Sequence, residues 1–554
     1  MFRKRKPQRS LFASSNLVPP AKAKRLQDSW AETFRARALP LIDEELFAPL
    51  YCEDNGRPNR AVQTVFGVAL LKEMFGLTDA EALEQVEFNL LWHHALELTP
   101  EEAHLPQKTL HNFRARLLRD DQGQLAFAAT TDRIIATLGT KVSRQRLDST
   151  HVISNIAVLT RLGLFCETMR VFLSALHAKH PELYGTVPPG LLRRYVKEDG
   201  DPSAYDDARS AEGRRRLSVC ARDLYRLGTQ FEGTAAAQLE AYGLLQRLLE
   251  EQCVVVACTQ SPGDDDDDAG EAGVPVILKG SHNVSSASMQ SPHDADVTYS
   301  GRKGKGFEVQ VSETCHPDNG TEVITHVAVT DACGSDAQAT LPVLEALAAR
   351  GLRPDELVAD TAYGSADNAV AAARLGTELV SPVGGSAVAV DPTPAEERPL
   401  TGADFDVDPC GNEPATCAGG QTATSHRLNA NNGNRLELTF ERSSCERCPL
   451  QARCPAKLDR KADAYAVTVD LLQANLTRRR RAEASGAFRE RYAIRAGIEA
   501  TNSELKRQHG LDDLHVRGRP RVVLAAHLKA LACNFKRMVR ALMPELRPAA
   551  PATA

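Results

Sequence analysis

Residues 492–506, YAIRAGIEATNSELK, constrain the chain more than any other stretch. They hold good helix formers, no proline and a single glycine, and so predict one helix. At about 100° per residue, Tyr492, Arg495 and Lys506 fall within about 40° of Glu499 around the axis. One stripe then carries a carboxylate, two cations and a phenol. A core helix would not place such a row on one face, and a solvated helix rarely keeps a tyrosine there. Two readings fit the spacing. One is an i,i+4 ion pair of Arg495 with Glu499 on an exposed helix. The other is a site where a metal-bound carboxylate meets a phosphate backbone. Glu504 sits about 140° from Glu499 and faces elsewhere.

The spacing Tyr-x2-Arg-x3-Glu-x6-Lys resembles the signature of one branch of the DDE transposases of bacterial insertion sequences. The resemblance implies that Glu499 is the third metal-binding carboxylate and that Tyr492, Arg495 and Lys506 contact transposon-end DNA. It also calls for two aspartates on upstream strands. Residues 141–156, KVSRQRLDSTHVISNI, alternate as a strand with Asp148 inside it. A charged Asp in a strand is disfavoured unless it is paired or binds a metal. Pairing with Arg144 or Arg146 at a sheet edge is the plain alternative. The string L-D-S-T-H resembles the first-aspartate strand of the family. Further on, 356–359 form a short apolar strand ending in Asp360. A turn at Gly364 follows, with Ser365 as cap of a helix over 366–375. The end of such a strand is where α/β sheets bind ligands, and V-A-D-x-x-Y-G resembles the family's second-aspartate motif.

At 554 residues the chain has room for roughly two to four domains. Hydrophobic content of 42% and charged content of 25% are those of a soluble globular protein. No apolar run of about 18 residues marks a membrane span. The opening MFRKRKPQRS lacks an apolar follow-on and is not expected to be a secretory signal. An odd 13 cysteines over a long chain predicts a reducing compartment. The expected location is therefore the bacterial cytoplasm, at the nucleoid. A net charge of −5 speaks mildly against DNA binding, yet residues 474–546 hold 16 Lys and Arg against 7 Asp and Glu.

Residues 1–30 are polar and basic and are expected to form a disordered arm. Segments 60–75, 79–90 and 91–98 predict short amphipathic helices. A further helix over 108–118 has Pro106 ahead of it and exposes His111, Arg114, Arg116 and Arg119 nearby. Such a bundle suits a helix-turn-helix with Arg114 and Arg116 on DNA, or equally a packing domain with surface arginines. It resembles the helical N-terminal domain of the insertion sequence eleven-eighty-two group of transposases, which implies recognition of transposon ends.

Between the two aspartates, 159–179, 189–197, 208–227 and 234–252 read as helices of an insert spanning about 155–258. An acidic loop follows over 260–275, a solvated charge run with no assigned site. Strands are expected over 297–314 and 322–331, and a helix over 337–350. Lys303 and Lys305 read as surface lysines within reach of phosphate. Between Asp360 and Glu499 lies a Gly/Pro-rich β segment. Its Cys445-x2-Cys448-x5-Cys454 spacing, with Cys410 or Cys417 as fourth ligand, fits a structural zinc site or reduced packing cysteines. Arg442, Arg447 and Arg453 are expected to lower the thiol pKa values. Arg478, Arg479, Arg480 and Arg481 form a basic run suited to tracking phosphates. A basic-edged apolar helix covers 522–542, and 547–554 are expected to be disordered.

The elements assemble into an RNase H-like α/β core with insertions. The expected parts are a disordered arm (1–30), a helical DNA-binding domain (31–140), the first part of the core (141–385), a cysteine-containing β insert (386–482) and the second part of the core (483–545). Asp148, Asp360 and Glu499 would repel one another without cations between them. Two Mg²⁺ (or Mn²⁺) ions about 3.5–4 Å apart satisfy that charge. The resemblance implies a transposase that binds double-stranded DNA at transposon ends and target, as a homodimer, and catalyses cleavage and strand transfer. A nuclease without strand transfer and a domesticated DNA-binding protein are the alternatives.

Overall fold

A computed structural model describes residues 2, 4–5, 14–52, 59–196, 211–256, 276–384, 397–429 and 431–543. The acidic loop 260–275 and the tail 547–554 lie outside the described residues, as does most of 1–13. The rest of the expected arm is ordered: Pro20–Gln27 is a helix with Leu26 buried. The basic lettering of that segment hid a single apolar anchor.

The N-terminal helices are α1 (Val62–Phe75), α2 (Asp79–Phe88), α3 (Leu90–Leu96), α4 (Gln107–Leu117) and α5 (Gln122–Leu138). Thr78 opens α2 with a capping box closed by Glu81. Helix α1 is buried on nearly every side rather than amphipathic, because it runs through a shared core. Phe34, Phe66 and Phe113 join Leu147, Val311 and Leu357 of the sheet in one hydrophobic cluster. The helices therefore do not enclose a core of their own.

The central sheet contains β1 (Arg144–Val152), β2 (Thr298–Ser300), β3 (Gly304–Thr314), β4 (Ile324–Asp331), β5 (Glu356–Ala359) and β6 (Glu378–Val380). Its main order is β4-β3-β1-β5-β6, with β2 pairing the start of β3. Strand β3 is antiparallel to β1 and β4, while β1, β5 and β6 run parallel. Leu147 pairs with Ala359, so the next residues along, Asp148 and Asp360, lie side by side. The run Leu357–Ala359 is wholly buried, as expected of a parallel strand covered on both faces.

Between β1 and β2 the chain forms a helical insert with α6 (Arg161–Lys179), α7 (Ala211–Gln230) and α8 (Glu240–Gln252). Phe165, Phe172, Leu224, Phe231 and Leu245 give it a separate core. Between β4 and β5 lies α9 (Thr340–Ala349), and between β5 and β6 lies α10 (Ala366–Arg374). The β insert holds an antiparallel sheet of β7 (Ser425–Asn429), β8 (Asn432–Glu441), β9 (Lys457–Asp459) and β10 (Ala464–Asp470), also with its own small core. Helix α11 (Leu471–Glu483) leads out of it to α12 (Gly486–Ala493), α13 (Gly497–His509) and α14 (Arg519–Leu542). Helix α14 packs against α1, α5 and β4 and so joins the N-terminal helices to the sheet. No helix among the described residues is long and apolar enough to cross a membrane.

Candidate active site

Asp148 sits in the middle of the sheet, not at its edge. Its neighbouring arginines are spent elsewhere: Arg144 pairs with Glu356 at 2.6 Å and Arg146 with Glu313 at 2.7 Å. The edge-pairing alternative therefore fails for Asp148. Asp360 follows β5, and its Oδ1 accepts from the Ala362 N–H at 2.8 Å. Ser365 caps α10, accepting from the Asn368 N–H.

The single helix expected over 492–506 is interrupted. Helix α12 ends at Ala493, residues Ile494–Ala496 form a 3-10 turn, and α13 begins at Gly497. The cause lies on β1. Arg146 Nη1 donates to the Ile494 carbonyl at 2.8 Å, and Arg144 Nη2 donates to the Arg491 carbonyl at 2.9 Å. A Cβ on Gly497 would stand 2.0 Å from Arg146 Nη1. The glycine thus admits the guanidinium that fixes the start of α13.

Arg495 then reaches all three carboxylates. Its Nη1 donates to Glu499 Oε1 at 2.8 Å, and its Nη2 lies 3.4 Å from Asp148 Oδ1 and 3.9 Å from Asp360 Oδ2. Asn502 Nδ2 donates to Asp148 Oδ2 at 3.1 Å. The side chains open towards solvent in order: Asp148 is 13% exposed, Asp360 34% and Glu499 65%. Burial pushes the Asp148 carboxyl above its usual range. Arg495 pulls the other way, and Asp360 and Asp336 add to the rise. Tyr492 is half-buried, stacked on Phe488 with centroids 5.7 Å apart. Its phenol is raised by burial, with Asp360 and Asp148 among the contributing charges. Lys506 is half-exposed and makes no ion pair among the described residues.

Glu504 turns away, as its helical offset requires. Its Oε2 accepts from Arg537 Nε and Nη2 at 3.1 and 2.9 Å. Burial alone would raise this carboxyl, but Arg537 brings it below its usual range. Glu504, His509 and Cys533 also have ligand atoms within 4.8 Å of one another. His509 is held neutral there, its pKa lowered to about 4 by burial.

The basic residues expected on DNA are largely engaged within the chain. Arg114 makes a two-pronged pair with Asp79 at the start of α2, and the Arg116 guanidinium stacks 4.6 Å from the Tyr51 ring centroid. Arg478 donates to the Val407 carbonyl, Arg480 to that of Gly384, and Arg481 to Asp404. Arg479 donates to the carbonyls of Gly364 and Ser381 at 2.9 and 3.0 Å. Ser381 Oγ in turn donates to the Asp360 carbonyl at 2.9 Å. A Cβ on Gly364 would collide with Ser381 Oγ at 1.9 Å. Arg479 thus holds the loop that carries Asp360. Lys303 bonds Ser149 and Glu308, and Lys305 is partly buried against the Leu159 carbonyl.

In the β insert, Cys417, Cys445, Cys448 and Cys454 line one small cavity. Cys410, the other expected fourth ligand, does not line it. The expected lowering of the thiol pKa values is corrected. Burial, then the neighbouring thiols, raise Cys445, and burial raises Cys454. Arg442 is occupied by Glu446 and Asp463.

Sequence reasoning missed the buried group that positions α13. Glu313 is fully buried on β3 and accepts from Arg146, Arg537 and Thr501. The signal that flagged Asp148, a charge within a strand, was present at Glu313 as well.

Residues 416–539 match a family model described as a Transposase DDE domain, and residues 24–116 match one described as a Transposase domain (DUF772). The first match takes in Tyr492, Arg495, Glu499 and Lys506 and begins beyond the two aspartates. No curated protein and no solved structure matches the chain. The two family matches support a transposase of a bacterial insertion sequence.

Proposed function

We propose that the chain is a DDE transposase with an RNase H-like core that binds the ends of its element, cuts the DNA there and joins it to a target. The observation that carries this reading is the meeting of Asp148, Asp360 and Glu499, from two adjacent strands and a helix, around one guanidinium. The sheet order, with β3 antiparallel between β1 and β4, supports the core assignment.

The donor set fits hard divalent cations. Three carboxylates converge, with one cationic side chain paired to them among the described residues, and oxygen donors of this kind suit Mg²⁺ or Mn²⁺. Asp148, Asp360 and Glu499 would hold two such ions. Bound there, they supply Lewis-acid charge for in-line displacement at phosphorus, by water in cleavage and by a DNA 3′-hydroxyl in joining. The two aspartates are fixed by the sheet and by the Arg479-held loop. Glu499, the most exposed of the three, closes the site from α13. Arg495 and Tyr492 stand beside the carboxylates, and with Lys506 further along α13 they would meet the phosphates of the transposon end.

A groove of about 820 Å³ between the N-terminal helices and the start of α14 is lined by His111, Arg114, Arg517 and Arg521, with Glu73, Asp79 and Asp513 also in its wall. It offers a second phosphate-contacting surface for the same end. Arg116, Arg478, Arg480 and Arg481 would add further phosphate contacts by exchanging their partners within the chain for phosphate, while Arg479 keeps the Asp360 loop in place. Two ends require two active sites, which a homodimer provides. The test is a strand-transfer assay with Mg²⁺ and DNA taken from both flanks of the reading frame. Joined products are expected. Cleavage without joining would leave a nuclease, and neither activity would overturn the reading.

A further inference from the structure

We propose that Cys417, Cys445, Cys448 and Cys454 bind one zinc ion and thereby close the β insert. The four residues come from separate turns. Cys417 ends a bridged segment, its N–H bonded to the Gln421 carbonyl, and the Gly420 N–H returns to the Cys417 carbonyl. Cys445 lies in the short helix Arg442–Glu446, Cys448 in the turn after it, and Cys454 just beyond the 3-10 turn Gln451–Arg453. Successive backbone bonds, Cys448 to Cys445, Gln451 to Cys448 and Cys454 to Gln451, wind this stretch around the same point.

That point is a cavity of about 30 Å³ lined by all four thiols. It is large enough for one ion or water molecule, since a water needs about 10–15 Å³. Gly419 presses against two of the sulfurs: a Cβ there would stand 3.0 Å from Cys448 Sγ and 3.7 Å from Cys417 Sγ. The remaining wall includes Phe405, Phe440 and Tyr465. Four thiols in an apolar wall are the donor set of a closed structural site, where Zn–S bonds are about 2.3 Å; no three of their sulfurs lie within 4.8 Å of one another, so binding draws them inward. Soft thiolates select zinc over Mg²⁺, so this ion is distinct from any at the carboxylates.

The build of the insert points the same way. It has a small core, built on residues such as Phe405, Leu436, Leu438, Phe440 and Val469. Cores of this size commonly need a metal or another cross-link, and metal binding is then folding free energy. Cys410 does not line this cavity and is left out of the ligand set.

The test uses the full-length protein purified in a non-thiol reductant without chelator. Metal analysis should find about one zinc per chain. Cys417→Ser and Cys448→Ser should lose it, and Cys410→Ser should keep it. Cobalt substitution of the unaltered chain gives a second readout that does not depend on variants folding. An intense sulfur-to-cobalt charge-transfer band with tetrahedral d–d transitions is expected. The proposal is overturned if the unaltered chain holds no zinc and gives only the weak spectrum of oxygen-ligated cobalt. It is equally overturned if Cys410→Ser loses the metal while Cys417→Ser retains it.

Discussion

Helix α13 lies between two arginine-centred groups of carboxylates, and they differ in charge balance. At one, Arg537 and Arg146 meet Glu313 and Glu504, two cations for two carboxylates, with Thr501 completing the hydrogen bonds. Glu313 is fully buried, and both its carboxylate oxygens accept hydrogen bonds within the chain. At the other, Arg495 is the one cation paired with Asp148, Asp360 and Glu499 among the described residues, and exposure rises from 13% to 65% across the three. A buried acid group that is neutral and satisfied holds structure. On the proposed reading, one that is short of positive charge and open to solvent takes a cation from outside. The same residue types thus serve two purposes, separated by one helix.

The comparison breaks most sharply in activity. Asp148→Ala and Asp360→Ala should each lower DNA cleavage by orders of magnitude while leaving end binding largely intact, because affinity comes mainly from phosphate contacts. Gel-shift and cleavage assays on the same DNA separate the two effects, and full cleavage by either variant would sink the assignment.

Stability should respond in the opposite pattern. Arg537→Ala leaves Glu313 and Glu504 short of a partner, and breaking a buried pair costs about 3–5 kcal/mol. Chemical denaturation should show that loss, with cleavage falling only as far as folding does. A change of less than about 1 kcal/mol would mean the Arg537 group is no more than an exposed pair.

Acid gives a smaller, graded effect. Burial lowers the pKa values of His326 and His509 to about 4, against about 6.5 in an unfolded chain. The unfolded state therefore takes up protons first. This contribution to stability is complete above about pH 6.5 and is lost as the pH falls towards 4. Thermal melts across that window should decline, and His509→Gln should flatten the slope.

The smallest expected effect concerns Asp148 itself. Its carboxyl is raised by burial first, Arg495 opposing and Asp360 adding. A raised acid favours folding below its unfolded pKa, and that contribution is lost as pH rises through the folded value. At neutral pH, Asp148→Asn should therefore give a slightly higher Tm than the unaltered chain in chelator, and the gap should vanish in acid. A lower Tm would show that Arg495 already satisfies the site.

Local signals were legible in the sequence. The alternation around Asp148, the apolar run before Asp360, the Ser365 cap and the offset of Glu504 from Glu499 each depend on a few neighbouring residues. What escaped depends on partners far along the chain. The break at Ile494–Ala496 is set by Arg146 on β1. The basic run on α11 looked free for phosphate, yet Arg479 is committed to Gly364 and Ser381. Arg114 is held by Asp79. Spacing also left Cys410 and Cys417 equivalent, and only the folding of the β insert separates them. Helix α5 was missed because its apolar residues complete a core shared with α14.

The most direct test of the two-group account is one cleavage assay with two conservative variants. Glu499→Gln and Glu504→Gln change the same chemistry on the same helix, five residues apart. With Mg²⁺ and end-bearing DNA, Glu499→Gln should be inactive and well folded. Glu504→Gln should cleave DNA to the extent that it remains folded, because its partner is Arg537 and not the carboxylate site. An inactive, folded Glu504→Gln beside an active Glu499→Gln would contradict the account and place the metal-dependent chemistry on the other side of α13.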